Sequence, residues 1–165
     1  MKKIILFAFA NLFVCGWFAQ TTSVNLSWLK SMGSPGNDVV NATYTDASGN
    51  IYITGNVAST MDFDPSASQY TLSGNNQAYL AKYTPAGAFL WAKVFTGGNT
   101  GEGRAVGVDG SGNVYVAGKY SFGDINLDPS ASNFTLASQS NAMFVAKYSS
   151  SGAFIWGYGV GQNSD

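Results

Sequence analysis

Five side chains with oxygen donors flank a string that occurs twice. "DPSAS" runs from Asp64 to Ser68 and again from Asp128 to Ser132. Asp62 and Asp64 belong to the first copy, in "MDFDPSAS". Asp124, Asn126 and Asp128 belong to the second, in "GDINLDPSAS". Alternating carboxylate and amide oxygens suit a hard divalent cation, since Ca²⁺ takes about six to eight oxygen ligands. Two positions depart from the EF-hand loop that uses this pattern. Pro129 stands where that loop needs glycine, and Thr135 stands where its closing glutamate belongs. The competing reading is a structural turn. Each aspartate would accept backbone N–H bonds from the residues after it, with Pro65 and Pro129 fixing the chain direction. Calcium and turn are both expectations for these five residues.

Other chemistry is thinner. The chain has no histidine, which removes Ser-His-Asp and Cys-His catalysis and the commonest transition-metal ligand. Its single cysteine, Cys15, lies in an N-terminal apolar run. The remaining acids, Asp38, Asp46, Glu102, Asp109 and Asp165, would allow a carboxylate pair for glycoside hydrolysis, but nothing beyond their presence points there. "TGGNTGEGR" (Thr96–Arg104) is glycine-rich but lacks the Lys-Ser/Thr ending of a phosphate loop, so it reads as a connection between structural units. Tryptophans and tyrosines at repeated positions read as core rather than as sugar-stacking platforms. Asn25, Asn41 and Asn133 open glycosylation-type triplets.

The elements that would position these residues are strands. Of 165 residues, only 10% are charged and 15% are aromatic, and glycine is abundant at 20. Gly, Ser, Thr and Asn interleaved with Val, Ile, Tyr and Phe make short strands and tight turns. The N-terminus differs. "MKKIILFAFANLFVCGWFAQ" has two lysines, an apolar run and then small residues, the layout of a secretory signal peptide cleaved near Ala19. Val14 before Cys15 argues against a lipoprotein signal. Residues 1–19 are therefore expected as leader and 20–27 as a short lead-in. Without Lys2 and Lys3, six basic residues face nine acidic ones. No basic patch remains for nucleic acid. No membrane span is expected after cleavage. No disulfide can form in the mature chain, so stability must come from a large apolar core or from repetition.

Repetition is plain. "DASGNIYITG" (Asp46–Gly55) matches "DGSGNVYVAG" (Asp109–Gly118), and "AKYTPAGAFLWAK" (Ala81–Lys93) matches "AKYSSSGAFIWGY" (Ala146–Tyr158). The offsets grow from 63 to 64 to 65 residues through two single insertions in loop-like segments. Trp28, Trp91 and Trp156 mark unit starts, giving units 28–90 and 91–155 and a third beginning at 156–165. "NDVVNA" (Asn37–Ala42) and "GEGRAV" (Gly101–Val106) align as the first strand of each unit. In the second unit the strands are expected near Arg104–Val108, Asn113–Tyr120, Ala142–Tyr148 and Ala153–Tyr158. Asp109 and Gly112 in "DGSGN", and Gly152 in "SSSGA", make antiparallel hairpin turns. Val114–Ala117 and Met143–Ala146 are apolar on both faces, which predicts strands covered on both sides. Four-stranded antiparallel units stacked on copies of themselves are the blades of a β-propeller. A β-sandwich is the runner-up. The 64-residue period is longer than familiar propeller repeats, and the surplus falls around DPSAS.

These blocks resemble the SBBP-type bacterial β-propeller repeat of exported Bacteroidota proteins. The residues that carry the likeness are D-x-S-G-N-[IV]-Y-[IV]-x-G at 46–55 and 109–118, the two DPSAS strings, and A-K-Y-x-x-x-G-A-F-[LI]-W at 81–91 and 146–156. The resemblance implies an all-β propeller fold and export to the cell surface or medium, and no catalytic residues.

The expectation is thus an exported, non-enzymatic propeller segment serving as a scaffold or interaction surface, with an unidentified protein or glycan ligand. The alternative is part of a larger propeller lectin or hydrolase whose site lies in other blades. Two blades cannot close a ring of about four to eight. Its partners are therefore expected to be further blades of a longer chain, of which this would be a fragment, or further copies of itself.

Overall fold

The computed structural model describes residues 27–130, 132–137 and 141–161. The leader and most of the lead-in lie outside these residues, as do Ala131 of the second DPSAS string and the last four positions of the third unit. Among the described residues no helix is long and apolar enough to cross a membrane.

The fold is all-β. Strands β1 (Val39–Thr45), β2 (Ile51–Val57), β5 (Gln77–Tyr83) and β6 (Phe89–Val94) form one antiparallel sheet in the order β1-β2-β5-β6. Strands β7 (Thr100–Val108), β8 (Val114–Ser121), β11 (Asn141–Tyr148) and β12 (Phe154–Val160) repeat it as β7-β8-β11-β12. These are two propeller-type blades. Each carries an inserted ribbon between its second and third strands: β3 (Met61–Asp62) with β4 (Thr71–Leu72), and β9 (Ile125–Asn126) with β10 (Thr135–Leu136). The four strands and their antiparallel order agree with the sequence reading. The ribbons are where the surplus length goes.

The β1–β2 and β7–β8 turns work as the residues require. Asp46 Oδ1 accepts from Ser48 N and Asn50 N, each at 2.9 Å, and Gly49 takes φ 81°. Asp109 Oδ1 accepts from Ser111 N and Asn113 N at the same distance, and Gly112 takes φ 80°. A side chain there would be strained, so glycine is needed. Each Asp also receives a tyrosine hydroxyl two strand positions on, Tyr52 at 3.0 Å and Tyr115 at 3.1 Å.

One alignment needs correction. Val40 pairs with Gly55 and Gly103 pairs with Gly118, with bulges at Asn41 and Arg104. The first strands therefore align at an offset of 63, not 64, and Val40 stands where Gly103 stands. A bulge absorbs one residue without moving the flanking pairs, so spacing alone places it ambiguously.

β7 packs on β1, β2 and β5 of the first blade. The larger core cluster spans this seam: Tyr52, Ala78, Leu80 and Phe95 from the first blade meet Val116, Phe144, Ala146 and Tyr148 from the second. Phe95, fully buried, stacks on Tyr148 at 6.0 Å and meets Phe144 edge-on at 5.6 Å. Burying such a ring contributes about 1.5–3 kcal/mol. Every residue of β5 is buried, as a strand covered on both faces should be. β11 differs: Ala142, Phe144, Ala146 and Tyr148 are buried, while Asn141 and Met143 are exposed. The sequence expectation of two covered faces concerns Val114–Ala117 and Met143–Ala146. In β8 Val114 and Val116 are buried and Tyr115 and Ala117 are partly covered, whereas in β11 the second face is open at Met143.

Candidate functional site

The five oxygen-bearing residues sit on or beside the ribbons. Asp62 Oδ1 accepts from Asp64 N at 3.0 Å and from Tyr70 N at 2.9 Å, tying the ribbon's two sides together. Asp64 Oδ1 accepts from Ser66 N at 3.0 Å. In the second copy Asn126 Oδ1 accepts from Asp128 N at 3.0 Å, and Asn126 Nδ2 donates to Asn133 Oδ1 at 2.8 Å. Asp128, only 4% exposed, accepts from Ser130 Oγ at 2.6 Å. These are Asx-turn bonds. Asp124 is exposed at the ribbon's entry, where its carbonyl lies against Gly97. Among the described residues no three carboxylate, imidazole or thiol side chains gather as a metal-holding group.

Each ribbon is pinned by the tyrosine that ends the third strand. Tyr83 OH donates to Phe63 O at 2.9 Å, and Tyr148 OH donates to Leu127 O. Phe63 and Leu127 are fully buried and immediately precede the DPSAS strings. Burial pushes both phenol pKa values well above their ordinary range; Tyr79 and the carboxylates of Asp64 and Asp62 add to this at Tyr83, and Asp128 adds to it at Tyr148.

A groove of about 430 Å³ opens between the two ribbons, lined by Tyr70, Ser73, Lys93, Thr96, Pro129 and Ser130 among others. Lys93 is half-buried there. Desolvation lowers its pKa, and Asp128 partly opposes that shift. Sequence reasoning missed this lysine because it ends an apolar strand block and looks like a solvated residue. Its signal was position: it lies inside a repeated block whose counterpart, Tyr158, carries no charge.

The repeated tryptophans serve the seam. Trp91 Nε1 donates to Ser150 O at 3.2 Å, and its ring lies against Gly152, where φ is 83°. Trp28 does the same one blade earlier, donating to Pro85 O at 2.9 Å with its ring over Gly87. Trp91 thus lies on the outer strand of the first blade and rests on the β11–β12 turn of the second, while Trp28 precedes β1 and rests on the β5–β6 turn of the first. The Trp-to-Trp sequence unit is consequently out of phase with the four-stranded blade by one strand.

Four-stranded blades that pack face to face through repeated residues decide the class. The chain is a propeller-like repeat protein. Comparison with curated proteins agrees at a distance. It finds the uncharacterized WD repeat-containing protein L264 of Acanthamoeba polyphaga mimivirus, 24% identical over 145 residues. That similarity covers 85% of this chain and 10% of the viral protein, so the chain spans about a tenth of its relative's length. No family profile matches the chain, and no solved structure matches it.

Proposed function

We propose that the chain is an exported, non-enzymatic propeller segment of the SBBP type, serving as a scaffold that presents an interaction surface. One observation carries this reading. The residues repeated between the two units are spent on architecture. Asp46 and Asp109 close turns, Gly87 and Gly152 seat tryptophans, and Tyr83 and Tyr148 pin ribbons. A catalytic repeat would keep reactive groups converging on a point. This one keeps turn and seam residues. The relative is described as WD repeat-containing, which supports a repeat architecture for this chain. The lysine-bearing groove between the ribbons is where a protein or glycan ligand would be met.

Export is tested by expressing the chain with its leader in a bacterial host and sequencing the N-terminus of the exported product. Cleavage near Ala19 is expected; retention of Met1 in the cytoplasm would overturn the export half of the reading. Measurable turnover of peptide or glycoside substrates by the purified chain, abolished by changing one carboxylate, would overturn the other half.

A further inference from the structure

The covered face of the first blade and the free face of the second carry the same cross-strand row. Tyr52, Lys82 and Trp91 are neighbours across β2, β5 and β6, and Tyr115, Lys147 and Trp156 are neighbours across β8, β11 and β12. On the covered face Lys82 Nζ lies 5.2 Å over the Tyr52 ring and donates to Ser150 O at 3.0 Å. Trp91 donates to the same carbonyl. On the free face Lys147 Nζ lies 4.9 Å over Tyr115 and turns instead to Asp109, at 3.6 Å. The face around it is apolar and open. Met143 is 57% exposed and Tyr158 67%, whereas Ala78, which holds Met143's position in the first blade, is fully buried.

Two glycines let β7 seat on the covered face. A Cβ on Gly103 would lie 1.8 Å from Thr54 Oγ1, and one on Gly101 would lie 3.0 Å from Ala78 N. A second copy of this chain would offer β1 instead. By the register above, extended by one residue, Asp38 just before β1 and Val40 within it stand at those two places. Opposite them the free face has Ala117 where Thr54 stands and Met143 where Ala78 stands. Ala117 lacks the hydroxyl that makes the 1.8 Å contact, so Val40 would meet there only what remains at Gly103, a Cβ at 3.0 Å and a backbone N at 3.2 Å, which is tight rather than blocked. Met143 sets a longer side chain than Ala78 beside Asp38. Overpacking of this kind is destabilising. Asp38 is also committed, accepting from Ser34 N, from Ser34 Oγ at 2.7 Å and from Ala58 N at 2.9 Å. Finally, the turn of the first blade that would receive Trp156 already holds Trp28.

We propose that the free face of the second blade is a docking site for a further repeat unit whose first strand carries Gly-x-Gly. Asp38, Val40 and the Trp28 segment exclude a second copy of this chain from that site. The device rejects the wrong partner by steric conflict and admits the right one by the absence of side chains. It also blocks the open-ended head-to-tail stacking that a heterologous interface invites. On docking, the incoming turn carbonyl accepts from Trp156 Nε1 and Lys147 Nζ, and Lys147 leaves Asp109. The inference rests on the propeller reading of the blades and is independent of export, so leader cleavage and the experiment below fail separately.

Sedimentation velocity on the mature full chain tests it. The unmodified chain stays monomeric as concentration rises. Trp28→Ala, Asp38→Gly and Val40→Gly combined free the first blade's turn and give β1 its two glycines. The average mass should then rise at least twofold with concentration and return to monomer when Trp156→Ala is added. An unmodified chain that oligomerises until Trp156→Ala dissolves it overturns the proposal. So does a folded triple variant that stays monomeric. Should the triple variant fail to melt cooperatively, the reverse exchange decides. Gly101→Asp with Gly103→Val should open the existing seam, read as faster amide exchange in β2 and β5; unchanged exchange overturns the proposal.

Discussion

Trp91→Ala and Trp156→Ala remove the same side chain from the same place in two blades, but only one of them lies in a seam. The difference between the two measures what the seam contributes. Trp91 is half-buried, rests on the Gly152 turn, meets Tyr52 edge-on at 6.5 Å and donates to Ser150 O. Truncating a fully buried tryptophan costs about 3–5 kcal/mol. Half-burial brings that to about 2 kcal/mol, and the partly exposed hydrogen bond adds about 0.5 kcal/mol. Trp156 keeps its counterpart contacts within its own blade, to Tyr115 at 6.1 Å and Tyr158 at 5.3 Å. Such ring pairs contribute about 0.5–1.5 kcal/mol. Trp156 is part-buried as well. The expected costs are therefore about 2.5 kcal/mol for Trp91→Ala and about 1.5 kcal/mol for Trp156→Ala, a gap of about 1 kcal/mol that comes from the turn contact and its hydrogen bond. Urea denaturation of the mature chain, followed by far-UV circular dichroism and fitted with a common slope, reads both. Equal losses would refute the seam's role, because the turn beneath Trp91 would then be contributing nothing.

Two further outcomes follow from the same geometry. Gly103→Ala places a methyl group against Thr54 and should cost about 1–3 kcal/mol. Thr54→Ala in the same chain should recover part of that loss, and a double-mutant cycle showing strict additivity would argue that the two residues do not touch. Acid should also destabilise the fold. Hydrogen bonds from the Asn113 side chain and backbone, then from Tyr115 and Ser111, hold the Asp109 carboxyl well below the ordinary carboxylate range. At Asp46 desolvation acts upward, but bonds from Asn50, Tyr52 and Ser48 outweigh it and the net shift is also down. A carboxyl whose pKa falls on folding contributes stability above its unfolded value, about 4, and loses it as pH drops through the folded value. The urea midpoint should hold from pH 7 to about 5 and fall below about 4, less steeply in Asp109→Asn.

The strands and turns were legible because their causes are local. Asp46, Gly49, Asp109 and Gly112 act within six residues of themselves, and runs such as Val114–Ala117 announce a strand wherever it packs. The ribbons were not legible as strands, since two-residue strands such as Met61–Asp62 have no periodicity to read. The seam was invisible for a different reason. Thr54 meets Gly103 across 49 positions, and nothing in either segment names the other. The one-residue slip in aligning β1 with β7 hid it further, because it set Val39 rather than Val40 opposite Gly103. Only the backbone pairing at Gly55 and Gly118 shows that a side chain in β1 stands where β7 has none.

The growing offset between the copies bears on what DPSAS is for. Phe63 and Leu127 are 64 positions apart, while Tyr83 and Tyr148 are 65 apart, yet both pairs make the same hydroxyl-to-carbonyl bond. An inserted residue between ribbon and strand is absorbed and the pin survives. The pinned turn is thus kept in both copies, and Asp62, Asp64, Asn126 and Asp128, at the same two-residue spacing in each, serve it by binding backbone N–H groups. Tyr148→Phe should therefore be costly. It leaves the Leu127 carbonyl unpaired in a buried place, at about 1–3 kcal/mol. Tyr83→Phe should cost a similar amount by the same argument. Thermal melting with and without millimolar calcium separates turn from cation loop. On the turn reading, calcium moves neither the parent chain nor the variants. A melting temperature that calcium raises in the parent chain and restores in Tyr148→Phe would refute it, because the loop would then be held by a metal and not by the tyrosine.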